Sequence, residues 1–206
     1  MGNRAIIKTA NGHIGMYLHW NGGRDSVEAF LKYCELRGFR SPEVDGYGWA
    51  RLAQVVGNYF GGGLSVGIIE LSGVGDGEWC DNGTYIIEDW KIIGREDFDG
   101  PEQHEYKLEE MLKEIDAAQP PKDRLGDYLD AEEVNTDSLK IGDVIYFRDT
   151  GTEIFEKLAI VGIGKLGQVV NGRNVGGVPY VDRFGFGNPG GNINNYVRDK
   201  IVRIVR

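Results

Sequence analysis

The spacing of the apolar residues changes along this chain, and the change limits the folds that the chain can adopt. Before residue 120, apolar residues at helical spacing alternate with short strand-like runs. Beyond Ser138 only short apolar runs remain, separated by glycine-rich turns. Between the two parts, Gln119-Pro120-Pro121 breaks the last helical pattern and a polar, acidic stretch follows. The sequence therefore predicts an α+β domain over residues 1–120, an acidic linker over 121–138 and a small β domain over 139–206.

The first domain is expected to contain a mixed sheet. Strand-like runs at 5–9 and 15–20 flank Asn11-Gly12, a dipeptide typical of tight hairpin turns. An apolar run over 64–71 indicates a buried strand. Runs at 84–89 and 91–95 indicate a further pair of strands.

Two to three helices should pack on this sheet. The first is expected to have Asp25 as its N-cap, with Glu28 as the reciprocal partner, and to end at Gly38. A second is expected over 48–60, before a triplet of glycines. The clearest helical pattern covers 103–118, where the apolar stripe consists of Leu108, Met111, Leu112 and Ile115.

The last 68 residues or so carry only β signals, roughly one strand every ten residues. Closing such a short sheet on itself removes the edge strands that would otherwise pair with other chains. We therefore expect a small SH3-like β-barrel at the C-terminal end.

Acidic residues are concentrated in the middle of the chain. Residues 70–137 carry 21 Asp and Glu against 6 Lys and Arg, whereas the two flanking parts are mildly basic. A local excess of one charge indicates a surface that meets an oppositely charged partner, or one that keeps the protein in solution.

Three runs of sequence carry a resemblance to a known group. GMYLHWNGGRDSVEAFLKY, YGWARLAQVVGNYFGG and DNGTYIIEDW are similar to proteins encoded by phages and mobile elements of gut-type bacteria. That group has no established activity, so no catalytic residue can be transferred. The resemblance implies only a genomic context, in which acidic accessory proteins often block nucleic-acid-targeting defences such as CRISPR nucleases.

Together these features favour a binding protein over an enzyme. Its acidic middle segment would occupy the basic groove of a host defence enzyme, a nuclease or its ribonucleoprotein, and carboxylates would replace phosphates there. Such an inhibitor would be anti-CRISPR-like. The candidate contacts are Glu105, Glu109, Glu110, Glu114, Asp116, Asp127, Asp130, Glu132 and Glu133. The alternative is that the carboxylates of helix 103–118 are ordinary solvated residues opposite its apolar stripe.

A second hypothesis places a binder or hydrolase of an anionic small molecule, such as a nucleotide, at the predicted junction of strand and helix over 17–24. Arginines suit an anion, tryptophans can stack on a ring, and a histidine can act as a general base. The candidate ligand-binding residues are Tyr17, His19, Trp20, Asn21, Arg24, Trp49 and Arg51. The same short segment also suits a plain turn followed by a helix cap.

Other chemistry finds little support in the sequence. The three histidines show no ligand spacing with the cysteines, so we expect no metal site and no cofactor. Cys34 lies on the apolar stripe of the first helix and should be buried, whereas Cys80 is expected to be exposed, with a thiol pKa raised by its acidic neighbours. No catalytic residue is predicted.

The overall charge and the lengths of the apolar runs bear on partners and location. A pI near 4.9 disfavours direct binding to nucleic acid, which is itself an anion. No apolar run is long enough to cross a bilayer, and the first residues lack the apolar core of a secretion signal. The sequence therefore predicts a protein of the bacterial cytoplasm that does not act at a membrane.

Overall fold

A computed structural model of the 206-residue chain describes residues 2–63, 65–71, 77–102 and 104–132 in full. Beyond them it describes the backbone of the strands given below. The chain divides into two compact units, Met1–Arg124 and Leu125–Arg206. Each unit is described by itself.

The first unit has a five-stranded mixed sheet. Its strands are β1 (Ala5–Thr9), β2 (Ile14–Leu18), β3 (Val66–Glu70), β4 (Thr84–Glu88) and β5 (Lys91–Glu96), in the spatial order β3-β2-β1-β4-β5. β1 pairs in parallel with β4, and the other neighbours are antiparallel. This confirms the α+β class and the mixed sheet.

Strand β1 lies at the centre of this sheet and is buried on both faces. Ile6 and Ile7 point to opposite faces because strand side chains alternate, yet neither is exposed to solvent. The predicted hairpin at Asn11-Gly12 joins β1 to β2, and the structure pairs them in the register Ala5 to Leu18. Strand β3, in contrast, pairs only with β2, so it is a partly exposed edge strand and not the buried strand expected from its apolar residues.

Three α-helices accompany the sheet in the described part of this unit, α1 (Arg24–Arg37), α2 (Gly46–Tyr59) and α3 (Leu108–Ala118), and a 3₁₀ turn follows at Pro121–Asp123. α1 ends as predicted at Gly38, whose φ of 74° places it in the left-handed region that glycine tolerates. α2 begins two residues earlier than predicted because the Asp45 side chain accepts a hydrogen bond from the Tyr47 N–H and caps the helix.

The prediction that Asp25 is the N-cap of α1 was wrong. Gly23 occupies the N-cap position, and Asp25 lies in the first turn. The Asp25 carboxylate instead accepts the backbone N–H groups of Glu105, at 2.6 Å, and Tyr106, at 2.9 Å. These bonds hold residues just before α3 outside the helix, so α3 begins at Leu108 and not at 103. They also leave Leu108, which was expected in the buried stripe, 45% exposed.

The second unit begins with a 3₁₀ turn at Gly126–Asp130. Its described strands are β6 (Glu132–Glu133), β7 (Val144–Arg148), β8 (Phe155–Ile163), β9 (Val169–Val170), β10 (Arg173–Asn174), β11 (Pro179–Arg183), β12 (Pro189–Asn192) and β13 (Val202–Val205). Six of them form an antiparallel sheet in the order β12-β11-β8-β7-β13-β6. Whether this sheet closes as an SH3-like barrel depends on residues outside the described part, so the barrel stays a prediction.

Candidate functional site

Helix α3 is fixed to its neighbours by polar contacts as well as by apolar packing. Met111, Leu112 and Ile115 are buried, and the Tyr33 hydroxyl of α1 donates a 2.7 Å hydrogen bond to Asp116. Burial and the Asp116 carboxylate both raise the pKa of Tyr33, so the hydroxyl keeps its proton. Asp116 is only 6% exposed, and we therefore leave it out of the candidate partner surface.

The C-terminal end of α3 has its own anchors. Buried Gln119 donates from its amide nitrogen to the carbonyls of Val55 and Ile115, and its amide oxygen accepts from Asn58 of α2. Arg124 donates to the carbonyls of Ala117 and Gln119, at 2.7 and 2.8 Å. These last carbonyls have no partner within a helix, so the arginine satisfies acceptors that would otherwise need water.

The exposed surface of α3 is mainly acidic. Glu109, Glu110 and Glu114 are exposed on the helix, and exposed Glu105 precedes it. Lys107 pairs with Glu110 at 2.9 Å, but both side chains are largely in water, at 82% and 68% exposure. Such a pair contributes at most about 1 kcal/mol and leaves Glu110 accessible to a stronger cation. The result is a set of exposed carboxylates, with Lys113 among them, on a firmly held helix, and we call these carboxylates the α3 acidic face.

The remaining predicted acidic contacts belong to the second unit. Asp127 and Asp130 lie in the 3₁₀ turn Gly126–Asp130, and Glu132 follows in β6, all three exposed. The side chain of Glu133 lies outside the described part of the chain.

The predicted small-molecule site is centred on an aromatic cluster at the C-terminal end of β2. The Tyr17 hydroxyl and Nδ1 of His19 lie 2.7 Å apart, within one hydrogen bond. The Trp20 ring meets the His19 ring edge-on at 4.9 Å, and Trp79 packs on Tyr17 at 5.0 Å. Both tryptophans are close to half exposed. Trp79 was not predicted, because only the loop before β4 brings it to this cluster.

The cations that would hold an anion at this cluster are already engaged. Arg24 bonds Glu28 at 2.7 Å and Glu102 at 3.5 Å. Glu102 also accepts from Arg95, and although burial opposes ionisation, the two arginines hold the pKa of Glu102 below its ordinary value. Asn21 adopts a left-handed conformation at φ 53° and donates to Ser26, so its role is to form the turn. The junction therefore offers aromatic faces and a histidine rather than free positive charge.

The other two predicted ligand residues lie elsewhere. Arg51 stacks on Phe39, just past the end of α1, whereas Arg24 begins this helix of 14 residues, about 20 Å long. Trp49 lines a cavity at the opposite end of β1 and β2, beside the Asn11-Gly12 turn. The helical and strand geometry thus separates residues that the sequence hypothesis had grouped.

This cavity, which we call the hairpin cavity, has a volume of about 370 Å³. Trp49, Thr9, Pro42 and Ile87 are its buried lining residues. Ala10, Asn11, Gly12, Glu43 and Glu88 complete the lining, and both carboxylates are exposed. Sequence reasoning missed it because its walls come from four separate stretches of chain, none of which carries a motif.

Neither cysteine is suited to nucleophilic chemistry. Cys34 is fully buried, as expected. The prediction that Cys80 is exposed was wrong: it is 7% exposed, because the turn Gly77–Gly83 folds it inward, with hydrogen bonds from the Cys80 N–H to Gly77 and from the Gly83 N–H to Cys80. Burial, more than the acidic neighbours Asp81 and Asp97, raises the pKa of Cys80 to about 11, and Arg4 only partly offsets this.

Comparison with protein-family models, with curated proteins and with solved structures finds no match to this chain. Among the described residues, no cluster of His, Cys, Asp and Glu has the geometry to hold a metal ion. The helices in this part of the chain are also too short or too polar to span a membrane.

Proposed function

We propose that the chain is an acidic accessory protein of a phage or mobile element that binds and inhibits a host nucleic-acid-targeting defence enzyme, in the manner of an anti-CRISPR protein. The α3 acidic face would occupy the basic groove that normally holds the nucleic acid. The observation that carries the proposal is that Glu109, Glu110 and Glu114 are exposed on a helix whose buried side is anchored by Tyr33 and Gln119.

The anchors matter because a fixed row of charges binds better than a mobile one. Tyr33 and Gln119 attach α3 to α1 and α2 respectively. The partner would therefore not need to order the helix when it binds, and less of the interaction free energy is lost to conformational entropy. Complementary charge also accelerates encounter with a basic groove and disfavours acidic partners.

Affinity for a purified CRISPR nuclease bound to its guide RNA tests the proposal directly. We expect binding that weakens with rising salt, that target DNA displaces, and that reduces DNA cleavage. Changing Glu109, Glu110 and Glu114 together to Lys should weaken the affinity at least about tenfold, since like charges would then meet across the interface.

A charge-matched variant separates a surface effect from a change in net charge. Glu70, Glu78 and Asp99 are also exposed and lie outside α3, so their joint replacement by Lys alters the net charge equally. It should retain binding. Equal loss in both triple variants, or no binding to any of a panel of nucleases and their ribonucleoproteins, would contradict the proposal.

A second candidate function rests on the Tyr17–His19 hydrogen bond beside the exposed rings of Trp20 and Trp79. A histidine in a fixed orientation next to aromatic faces suits a flat ligand such as a nucleotide, with His19 as general base. Binding of a nucleotide panel, measured by calorimetry, should disappear in His19→Ala and Trp20→Ala. Binding unchanged in both variants would count against this site, whereas the α3 variants should leave it intact.

A further inference from the structure

The geometry points to a binding site for a small organic cation in the hairpin cavity, independent of the function proposed above. Its volume of about 370 Å³ falls in the range of pockets that hold small molecules. Its walls come from the β1–β2 turn, the segment before α2, α2 itself and the end of β4.

Two residues that line the cavity carry a hydrogen-bonding group that a ligand could use. Thr9 is 8% exposed and Trp49 is 7% exposed, and both line the cavity. Within the described part of the chain, neither the Thr9 hydroxyl nor the Trp49 indole N–H makes a hydrogen bond to another protein group. Among the described residues, neither polar atom belongs to the fully buried groups that lack a hydrogen bond, so both stay accessible and can bond to a ligand that enters the cavity.

The position of Thr9 is enforced by its surroundings. A Cβ atom on Gly12 would lie 2.5 Å from the Thr9 hydroxyl oxygen, so the absence of a side chain at Gly12 is what leaves room for this group. Thr9 is the last residue of β1, and its backbone carbonyl accepts the Gly12 N–H of the turn at 3.1 Å. The turn therefore presents the hydroxyl to the cavity in one defined place.

The charge around the opening is negative. Glu43 and Glu88 are exposed lining residues, and no lysine, arginine or histidine among the described residues lines the cavity. One oxygen of Glu43 accepts the Asp89 N–H, which fixes this carboxylate at the rim. Lys91 lies opposite Glu88 in the β4–β5 register, but the two make no ion pair among the described contacts. An ammonium or guanidinium group at the rim would meet two carboxylates.

The apolar inner surface of the cavity indicates the chemistry of the part of the ligand that does not carry the charge. Trp49, Pro42 and Ile87 are apolar and buried, so they favour a flat apolar body. The Trp49 ring can also attract the cation itself. The ligand class is therefore an organic amine or guanidine whose apolar body carries a hydrogen-bonding group that reaches Thr9 or the Trp49 N–H.

Three related probes test each part of this assignment on the full chain. Tyramine carries an ammonium, a flat ring and a hydroxyl, phenethylamine lacks the hydroxyl, and 3-(4-hydroxyphenyl)propionate replaces the cation by an anion. In ¹H–¹⁵N NMR titrations we expect tyramine to shift the amides of Asn11, Gly12 and Ile87 saturably, with a Kd of about 1 mM or tighter. Phenethylamine should bind more weakly, and the propionate should not bind.

Two conservative variants and one control complete the test. Glu88→Gln removes one rim charge and should weaken tyramine about fivefold, while Glu70→Gln, on edge strand β3, should leave its Kd unchanged. Thr9→Val should reduce the preference for tyramine over phenethylamine without loss of folding. Equal binding of the propionate, an unchanged Kd in Glu88→Gln, or no saturable shift up to tens of millimolar tyramine would overturn the assignment.

Discussion

The hydrogen bond between Tyr33 and Asp116 allows a sharp test of how α3 is held. Tyr33 is 1% exposed and Asp116 is 6% exposed, so neither group is well solvated in the folded protein. Tyr33→Phe removes the 2.7 Å bond and leaves a buried carboxylate with one donor fewer. Hydrogen bonds to charged groups contribute about 1.5–3 kcal/mol, so we expect the free energy of unfolding to fall by about 2 kcal/mol.

Urea denaturation followed by far-UV circular dichroism measures this loss, and a double-mutant cycle with Asp116→Ala isolates the pair. We expect a coupling free energy of about 1–2 kcal/mol, because both residues share one contact. Tyr47→Phe is the matched control: Tyr47 is 64% exposed, so its hydroxyl should matter by less than about 0.5 kcal/mol.

The same variant connects stability to the proposed function. If Tyr33 anchors α3, Tyr33→Phe should speed hydrogen exchange in α3 before it affects the central strands. It should also weaken binding of the nuclease complex, although it lies on the opposite side from the α3 acidic face. A stability change within 0.5 kcal/mol of wild type, together with a coupling free energy near zero, would refute the anchoring argument.

Three further predictions concern other parts of the first unit. A thiol reagent at neutral pH should modify Cys80 far more slowly than a free cysteine, and at the ordinary rate in urea, because burial raises its pKa to about 11. Gly83→Ala should lower the free energy of unfolding by at least about 2 kcal/mol, because the φ of Gly83 is +63° and a Cβ there would clash with the backbone carbonyl oxygen of Glu96. Gly46→Ala is the control: the space around Gly46 is open, so the free energy of unfolding should change by less than about 1 kcal/mol. The hydrogen bond from Arg4 lowers the pKa of the Asp81 carboxyl, so the stability it contributes is present above about pH 4 and is lost as pH falls through the folded-state pKa. NMR titration of this carboxyl, compared with that in Arg4→Met, checks the sign: an equal midpoint in both proteins would contradict it.

The sequence by itself determined the features that depend on local pattern. Alternation and the Asn11-Gly12 turn placed β1 and its hairpin, and helical spacing placed the buried Met111, Leu112 and Ile115 in α3. These features follow from the repeat of the helix or strand backbone, which depends on residues that are close together in the sequence.

Tertiary structure alone decided the features that depend on distant residues. The sequence predicts that Asp25 caps α1. Its carboxylate instead accepts the N–H of Glu105, 80 positions further along the chain, and α3 begins only at Leu108. The sequence places Asp116 among the exposed acidic residues, but in the structure it is buried and accepts a hydrogen bond from Tyr33. The hairpin cavity forms where four stretches of chain meet, so the sequence of any one stretch does not predict it. A side chain's hydrogen-bond partner and its burial are set by what packs against it, and in this protein that neighbour usually comes from far along the chain.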